Sequence, residues 1–585
     1  MKLNAALALL FVGGVGFSRA AEAPQRRAAA EAGIGRMIGE ARVIDLAGEG
    51  HALSELVAAE RFTVIAVTSP SCPLSRKFAP SLAALEDAWR GRGVQFIYAG
   101  GIESDGEAAL AGLAREHGFE GRCASAAEGS LLRALQAEST AEVFVLDRAR
   151  TLQYRGAVDD QYGLGYQKER PSRAYLADAL GALSRGQRPA VEATTAPGCA
   201  LEVGAAAAAA PTWHRDISRI IQRNCQECHR PGGTGPFEMT TMADVVGHAA
   251  MIKKVVRGGL MPPWFAAPRR GPQAVAWANE RGLGEADRAA LVTWLSGDRA
   301  EGDVGEAPLA RAWPGEWVLG KPDAVVELPE AVAVQATGRM KYQYREVASG
   351  FAEDRWVTGV EVRPSALAQV HHVLVFAAAE GQSGVTDGDD FLAVYVPGSS
   401  AVIYPPGYAK KLPARSRIIF QLHYTPNGSA VEDRTRLGLT FAAEAPRHQV
   451  HVAAAKQTRF RIPPGAPRHE VKGALPVPFD AQVLSLMPHM HMRGTAFRYE
   501  LVEPGGQRRE LLDVPRYDFN WQLLYRAAEP VLVQAGSRIE ATAWYDNSAE
   551  NPNNPDPSAE VRWGDQTEEE MMIGYVEYVK VGGGP

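Results

Sequence analysis

The chain has 585 residues, a formal net charge of −6, and 46% apolar and 8% aromatic residues. That length predicts roughly three to five domains, each with a core of its own. The near-balanced charge gives no sign of a nucleic-acid surface, and the apolar share is that of a water-soluble protein.

Lys2 supplies a short positive region, residues 5–17 are apolar, and Ser18-Arg19-Ala20 offers a small-x-small cleavage site. Residues 1–20 read as a secretory signal peptide, because the apolar run is too short for a bilayer anchor. No later run has the length and apolarity of a membrane span, and no cysteine stands by the cleavage site to take a lipid. The expected location is periplasmic or secreted. Such a compartment permits disulfides, and the chain has five cysteines: Cys72, Cys123, Cys199, Cys225 and Cys228. An odd number leaves at least one thiol without a partner.

Residues 39–190 alternate strand and helix signals. The runs 62–67, 94–99 and 143–146 read as buried strands, and Leu82, Leu85 and Trp89 fall at helical spacing. This predicts an α/β domain. Cys72 follows a strand and opens a helix, where the helix N-terminus lowers a thiol's pKa. The motif from Cys72-Pro73 through Phe78 and Pro80 to Leu82 resembles the single-cysteine redoxin form of thioredoxin and peroxiredoxin relatives. The resemblance implies a thioredoxin-like fold with Cys72 as candidate redox thiol. Ser75 stands where a CxxC pair would resolve, and Ala141 where such domains usually carry a cis-proline. Two readings stay open: a redox-active domain resolved by Cys123 or Cys199, or a structural domain that kept one cysteine. Peroxidase activity is not expected.

Residues 191–211 run through Pro, Ala, Thr and Gly and read as a linker. Residues 212–298 are helical by pattern, over 217–221, 242–256 and 285–295. Within them Cys225-Gln226-Glu227-Cys228-His229 is CxxCH, the signature of one covalently bound haem c. Cys225 and Cys228 would hold the porphyrin and His229 the iron; no second cysteine pair completes a zinc site. The block resembles a small all-α class I cytochrome c domain, which implies Met261, ahead of Pro262, as distal ligand. Met239, Met242 and Met251 are alternatives, the last reading as helix core. A His/Met pair suits one-electron transfer. Residues 299–322 form a second linker.

From 323 onward, short alternating strands are cut by Pro, Gly and Asn turns, as at 357–362, 371–377, 418–424, 482–487 and 539–545. This predicts β-sandwiches, and about 260 residues suggest two of them, 323–455 and 456–585. Neighbours on a strand point to opposite faces, so His371 and His372 can share a metal only if the strand is twisted, bulged or at an edge. His423, in Gln421-Leu422-His423-Tyr424, offers a third imidazole. His489 and His491 are two apart and share a face. Met571 adds a thioether, with Met572 as the alternative register. Imidazole suits copper in either oxidation state, and a thioether favours the reduced ion.

HH, then QxHY, then HxH, then EM before a last strand resembles the copper type II, ascorbate-dependent monooxygenases. That family includes the peptidylglycine α-hydroxylating and dopamine β-monooxygenases. The resemblance covers about 325–582 and implies two all-β jelly-roll sandwiches with a solvent cleft between two copper ions. His371, His372 and His423 match the electron-transferring copper, and His489, His491 and Met571 the oxygen-binding, catalytic one. The animal enzymes carry disulfides here and this region has no cysteine. No arginine matches, by motif, the one that holds a peptide carboxylate in the peptidylglycine enzymes. The segments 518–522, 545–548, 551–555 and 564–567 read as rigid turn scaffold.

These readings make the chain a multidomain, secreted copper-dependent monooxygenase-like oxidoreductase. It is expected to hydroxylate a C–H bond with dioxygen, its electrons drawn from the fused haem or another donor. The substrate would be a small molecule or peptide-like, with no nucleic acid and no membrane span. The alternatives are a non-catalytic copper and haem electron carrier, or a thiol-based redoxin with appended sensor domains.

Overall fold

In a computed structural model, residues 23–582 are described apart from 126–128, 164–165, 202, 205–208, 269–273, 314, 387 and 399–400. The expected signal peptide, 1–20, lies outside the described residues. The chain divides into two units, 1–208 and 209–585. No helix among the described residues is long and apolar enough to cross a membrane.

The first unit is built on Phe62–Thr68, buried at every position as a strand covered on both faces must be. It pairs in parallel with Val94–Gly100 and antiparallel with Val143–Asp147, inside a five-stranded sheet edged by Arg122–Ala124 and Leu152–Gly156. Helix Pro73–Trp89 takes proline at its first turn, where no backbone donor is lost. It lays Phe78 and Leu82 on the sheet. This is a thioredoxin-like region, as expected, but its limits are wider than 39–190. Ala32, Ile34 and Ile38 lie in its core, and Arg26 bridges to Thr194. The stretch after 190 is not slack linker either. Ala193 and Thr194 are buried, and backbone bridges join Ala193 to Arg155 and Ala200 to Ser139.

The second unit opens with a small helical cluster, Ser218–Asn224, Met242–Gly247, Ala249–Arg257 and Glu285–Ser296. Trp213, Ile217, Ile221, Leu291 and Trp294 form its core. The helix expected over 242–256 breaks at His248, whose φ of −110° and ψ of 13° are not helical. Met251 is 55% exposed rather than core, because Ala249, Ile252 and Val256 take the buried face of its helix. Residues 299–322 are held to neighbouring elements: Arg219 donates to Glu306 O, and Trp317 packs against Gly438.

Two β-sandwiches follow. In the first, strands Ala324–Glu327, Arg436–Phe441, Arg355–Arg363 and Tyr408–Leu412 face Gln343–Ala348, Arg417–Tyr424, Val370–Ala378 and Phe391–Tyr395. In the second, His469–Val477, Ser537–Tyr545, Gly494–Val502 and Arg508–Val514 face a layer of His448–Lys456, Ile573–Lys580, Ala481–His489 and Tyr525–Val533. His448–Lys456 straddles the expected boundary at 455/456. It pairs with Ile573–Lys580 and, in parallel, with Tyr408–Leu412, so it stitches one sandwich to the other. Between the last two helices, Phe265 and Trp277 enter the core of the second sandwich, and Trp277 bridges to Ala527.

The sandwiches meet along an apolar seam: Leu374, Phe376, Phe391 and Ile419 from the first, Met487, Leu524, Ile573 and Tyr575 from the second. Where the family resemblance implies a solvent cleft, apolar side chains pack together along this seam. A buried ion pair crosses it. Lys410 Nζ lies 2.9 Å from Glu577 Oε1, which also accepts from Tyr404 Oη, while Ser485 Oγ donates to Oε2. Burial pushes the Glu577 carboxyl up, but Lys410 and these hydrogen bonds outweigh it and hold the carboxyl below its ordinary range. Leaving one charge buried alone is what makes breaking such a pair expensive. Lys410→Met should therefore cost about 3–5 kcal/mol, read as a lower urea midpoint. A depressed carboxyl stabilises fully above its unfolded pKa and stops doing so as pH falls through the folded one. The gap between wild type and Lys410→Met should narrow in acid; an acid-independent gap would contradict the pairing.

Candidate metal centre

The strand pairing His372 with His423 carries a register shift between Val370 and His372. Two residues oppose one there, so His371 is the extra residue of a β-bulge. Alternation does the rest. Val373 and Val375 face the core of the first sandwich, while Leu374 and Phe376 face the seam, and His372 shares that second face. On the neighbouring strand Phe420 and Leu422 are core, which turns His423 to the seam. The bulge brings His371 round to join them. One ligand nitrogen from each of His371, His372 and His423 lies within 4.8 Å of the others. The sharing of a site by adjacent histidines thus rests on the bulge.

In the second sandwich Met487 points to the seam, and His489 follows two residues on. His489 pairs with Ile573, so two further residues along each chain reach His491 and Met571. Met571 packs against the seam cluster, whereas Met572 is fully buried in the sandwich core. Glu570 fixes this end: its two carboxylate oxygens accept from the backbone N–H of His491 at 2.8 Å and of Arg493 at 2.7 Å. Tyr545 Oη donates to Met571 O at 2.7 Å.

The structure gathers the five histidines into one cluster rather than two distant groups. Ring centroids of His372 and His489 are 6.3 Å apart, and those of His489 and His491 are 5.4 Å apart. Tautomers are set by fixed acceptors. His489 Nδ1 donates to Gln522 Oε1 at 2.6 Å, and His491 Nδ1 to Glu569 O at 3.2 Å, which leaves the His491 Nε2 lone pair unclaimed. His371 Nε2, His372 Nε2, His423 Nδ1 and His491 Nε2 are buried without a hydrogen-bond partner. Buried polar atoms seldom stay unsatisfied, so this donor set fits an imidazole-binding transition-metal ion, copper among them. Burial pushes His371 to about 4, His491 to about 3 and His423 to about 2, and His372 well below its ordinary value. All four imidazoles are neutral at neutral pH and available as ligands.

Three residues at the cluster were outside the expected ligand sets. Phe519 stacks on His371 at 4.5 Å, and Gln522 orients His489. Both come from a segment that reads as turn scaffold. Tyr342 lies 4.6 Å from His423 and 5.5 Å from His372, ring to ring, and no sequence signal marks it. The other turn segments do serve as scaffold: buried Asn547 accepts from Arg493 Nε and from Asn554, and donates to Pro463 O and Ala559 O.

In the helical cluster Cys225 caps helix Ser218–Asn224 and His229 Nδ1 donates to Phe237 O at 2.8 Å, leaving Nε2 for a metal. The chain then turns back so tightly that a β-carbon on Gly235 would stand 2.8 Å from the His229 ring. These residues fit a CxxCH-bound haem. Met261 is half-buried after helix Ala249–Arg257; Met239 is buried in the helical core and its N–H donates to His229 O at 3.0 Å. Cys228 abuts the first sandwich, for a β-carbon on Gly398 would stand 3.2 Å from its sulfur.

In the first unit Cys72 is 1% exposed at the start of its helix, and its sulfur lies 3.3 Å from that of Cys199. Ser75, in the place of a resolving cysteine, ties Thr68 Oγ1 and the Ser69 N–H instead.

No family model and no curated protein matches the chain. Among solved structures, a hypothetical protein from Sinorhizobium meliloti 1021 is 20% identical over 32% of this chain and 100% of its own, with TM-score 0.28. The thioredoxin domain of a thiol-disulfide oxidoreductase from Bacteroides vulgatus is 14% identical, covering 20% of this chain and 84% of its own, at TM-score 0.18. A secreted disulfide oxidoreductase of Mycobacterium tuberculosis is 15% identical, covering 25% and 93%, at TM-score 0.19.

If the CxxCH motif holds haem, Gly235→Ala should crowd the His229 ring and cut covalent haem per chain several-fold, measured by the pyridine haemochrome spectrum. Gly247→Ala, with nothing within 4 Å of the new carbon, is the control. Equal haem in both would disprove the role given to the tight turn.

Proposed function

We propose that the chain is an exported copper- and haem-dependent oxidoreductase whose β half hydroxylates a C–H bond with dioxygen. The observation that carries this reading is the buried group of imidazoles, three on a bulged strand pair and two from the facing sandwich, in which His371, His372, His423 and His491 each hold a buried ring nitrogen without a hydrogen-bond partner. His371, His372 and His423 would hold one copper, and His489, His491 and Met571 the other. Copper bound there would supply one-electron chemistry with dioxygen. The chain's own residues keep the imidazoles neutral by burial, fix two of them through Gln522 and Glu569, and screen water with Phe519 and Tyr342.

Electrons would come from the haem held by Cys225, Cys228 and His229. Support lies in the contact between Cys228 and Gly398, just beyond the strand Phe391–Tyr395. That strand pairs with the one carrying His371 and His372, Tyr395 opposite Val373.

Metal analysis with EPR on the purified chain should give two coppers and one haem, and His423→Ala should lose one copper. A single copper, or zinc, would overturn the assignment. Gln522→Leu should weaken copper binding about 10- to 100-fold by freeing the His489 ring, measured by chelator competition; an unchanged affinity would remove Gln522 from the site. Oxygen uptake coupled to a hydroxylated product separates an enzyme from an electron carrier.

A second reading, a thiol-based redoxin with appended domains, is favoured by the approach of Cys199 to Cys72. Under it, Cys72→Ser abolishes the main activity while His489→Ala leaves it intact.

A further inference from the structure

The sulfurs of Cys72 and Cys199 are 127 residues apart in sequence, yet the chain after the thioredoxin-like fold is fitted to bring them together. Thr140 N–H donates to Cys199 O at 3.0 Å, Cys199 N–H donates to Thr140 Oγ1 at 2.9 Å, and Leu201 N–H donates to Glu138 O at 3.0 Å. Gly198 lies so close to the loop that a β-carbon there would stand 2.2 Å from Ser139 Oγ and 2.7 Å from Ala141 N. The segment therefore sits as an added strand on the loop that borders the thiol, the mode by which extended peptides dock on exposed backbone.

The two sulfurs differ in access. Cys72 is 1% exposed, whereas Cys199 is open to solvent. Burial opposes ionisation of Cys72, but hydrogen bonds from Thr140, Ser75 and Cys199 hold its thiol below the ordinary value, while Cys199 is raised chiefly by its bond to Cys72. Cys123 is no third member: burial and the nearby Glu86 push it up to about 11.

We propose that Cys72 and Cys199 are a redox couple for thiol–disulfide exchange with an external disulfide, in which Cys199 is the sulfur that meets the partner and Cys72 the buried sulfur that resolves. The Cys199 thiolate attacks a partner disulfide R–S–S–R, forming a Cys199–S–S–R bond and releasing one RS⁻. The Cys72 thiolate then attacks Cys199 Sγ, forming the Cys72–Cys199 bond and releasing the second RS⁻. In sum one disulfide is reduced to two thiols, and the domain gives up two electrons and two protons. Run backwards, the better-stabilised Cys72 thiolate is the leaving group, as exchange chemistry favours. This couple owes nothing to copper, and it supplies the second reading with a specific chemistry.

The test uses the full chain with oxidised glutathione as the probe. Oxidised wild type should yield a Cys72–Cys199 cross-linked peptide by mass spectrometry. Cys72→Ser should accumulate glutathione on Cys199, and Cys199→Ser should leave Cys72 at least tenfold slower to react. Absence of the cross-linked peptide in folded, oxidised wild type overturns the couple, and that measurement needs no variant to fold. A Cys72 that takes glutathione as fast in Cys199→Ser as Cys199 does in Cys72→Ser overturns the order of attack; a redoxin role for Cys72 alone would survive that result.

Discussion

The arrangement of the β half depends on one irregularity, the extra residue at His371. In a regular pleat the strand Val370–Ala378 would send His371 toward Val373 and Val375, into the core of the first sandwich. The bulge spares the core that polar ring and turns both histidines to the seam. The regular alternation beyond it then delivers Leu374 and Phe376 to meet Ile573 and Tyr575. Each unpartnered buried polar atom costs about 1–3 kcal/mol, and four imidazole nitrogens stand in that condition. A bound ion that accepted those lone pairs would turn the cost into a gain, which makes the cluster intelligible as a site rather than as packing.

The seam explains why the imidazoles of two domains form a single group. Apolar side chains close the distance between the sandwiches, and the Lys410–Glu577 pair fixes their lateral position, since a buried charge cannot slide away from its partner without large cost. The helical cluster reinforces the pair from outside: Trp277 joins the second sandwich, and Arg281 Nη1 donates to Gly398 O of the first at 3.0 Å. Three structural blocks of the second unit thus share interfaces.

Much of this was legible from residue order. Buried strand runs and helical spacing located the elements because burial on two faces, one face or one stripe leaves distinct periods. The HH pair announced the need for a bulge, and HxH announced a shared face. Other features left no such trace. Met571 and Met572 are chemically alike, and only the register of His489 with Ile573 shows that the first faces the seam. Gln522 and Phe519 lie in a turn whose Asp, Asn and Trp signal scaffold, and Tyr342 precedes a strand with nothing to mark it. The stretch around Cys199 has linker composition, yet its backbone is spoken for by Glu138 and Thr140. Composition reports propensity, whereas these contacts are long-range pairings that only the closed fold supplies.

The two redox elements handle electrons in different units. A thiol pair closes to a disulfide by giving up two electrons together, whereas a haem iron and a copper ion each exchange one. The proposed Cys72–Cys199 couple would therefore suit two-electron disulfide partners, and a haem held by the CxxCH motif would suit one-electron exchange with copper held by the imidazole cluster. Under these two proposals, the unit that carries Cys72 and Cys199 would handle electrons in pairs, and the unit that carries the CxxCH motif and the imidazole cluster would handle them singly.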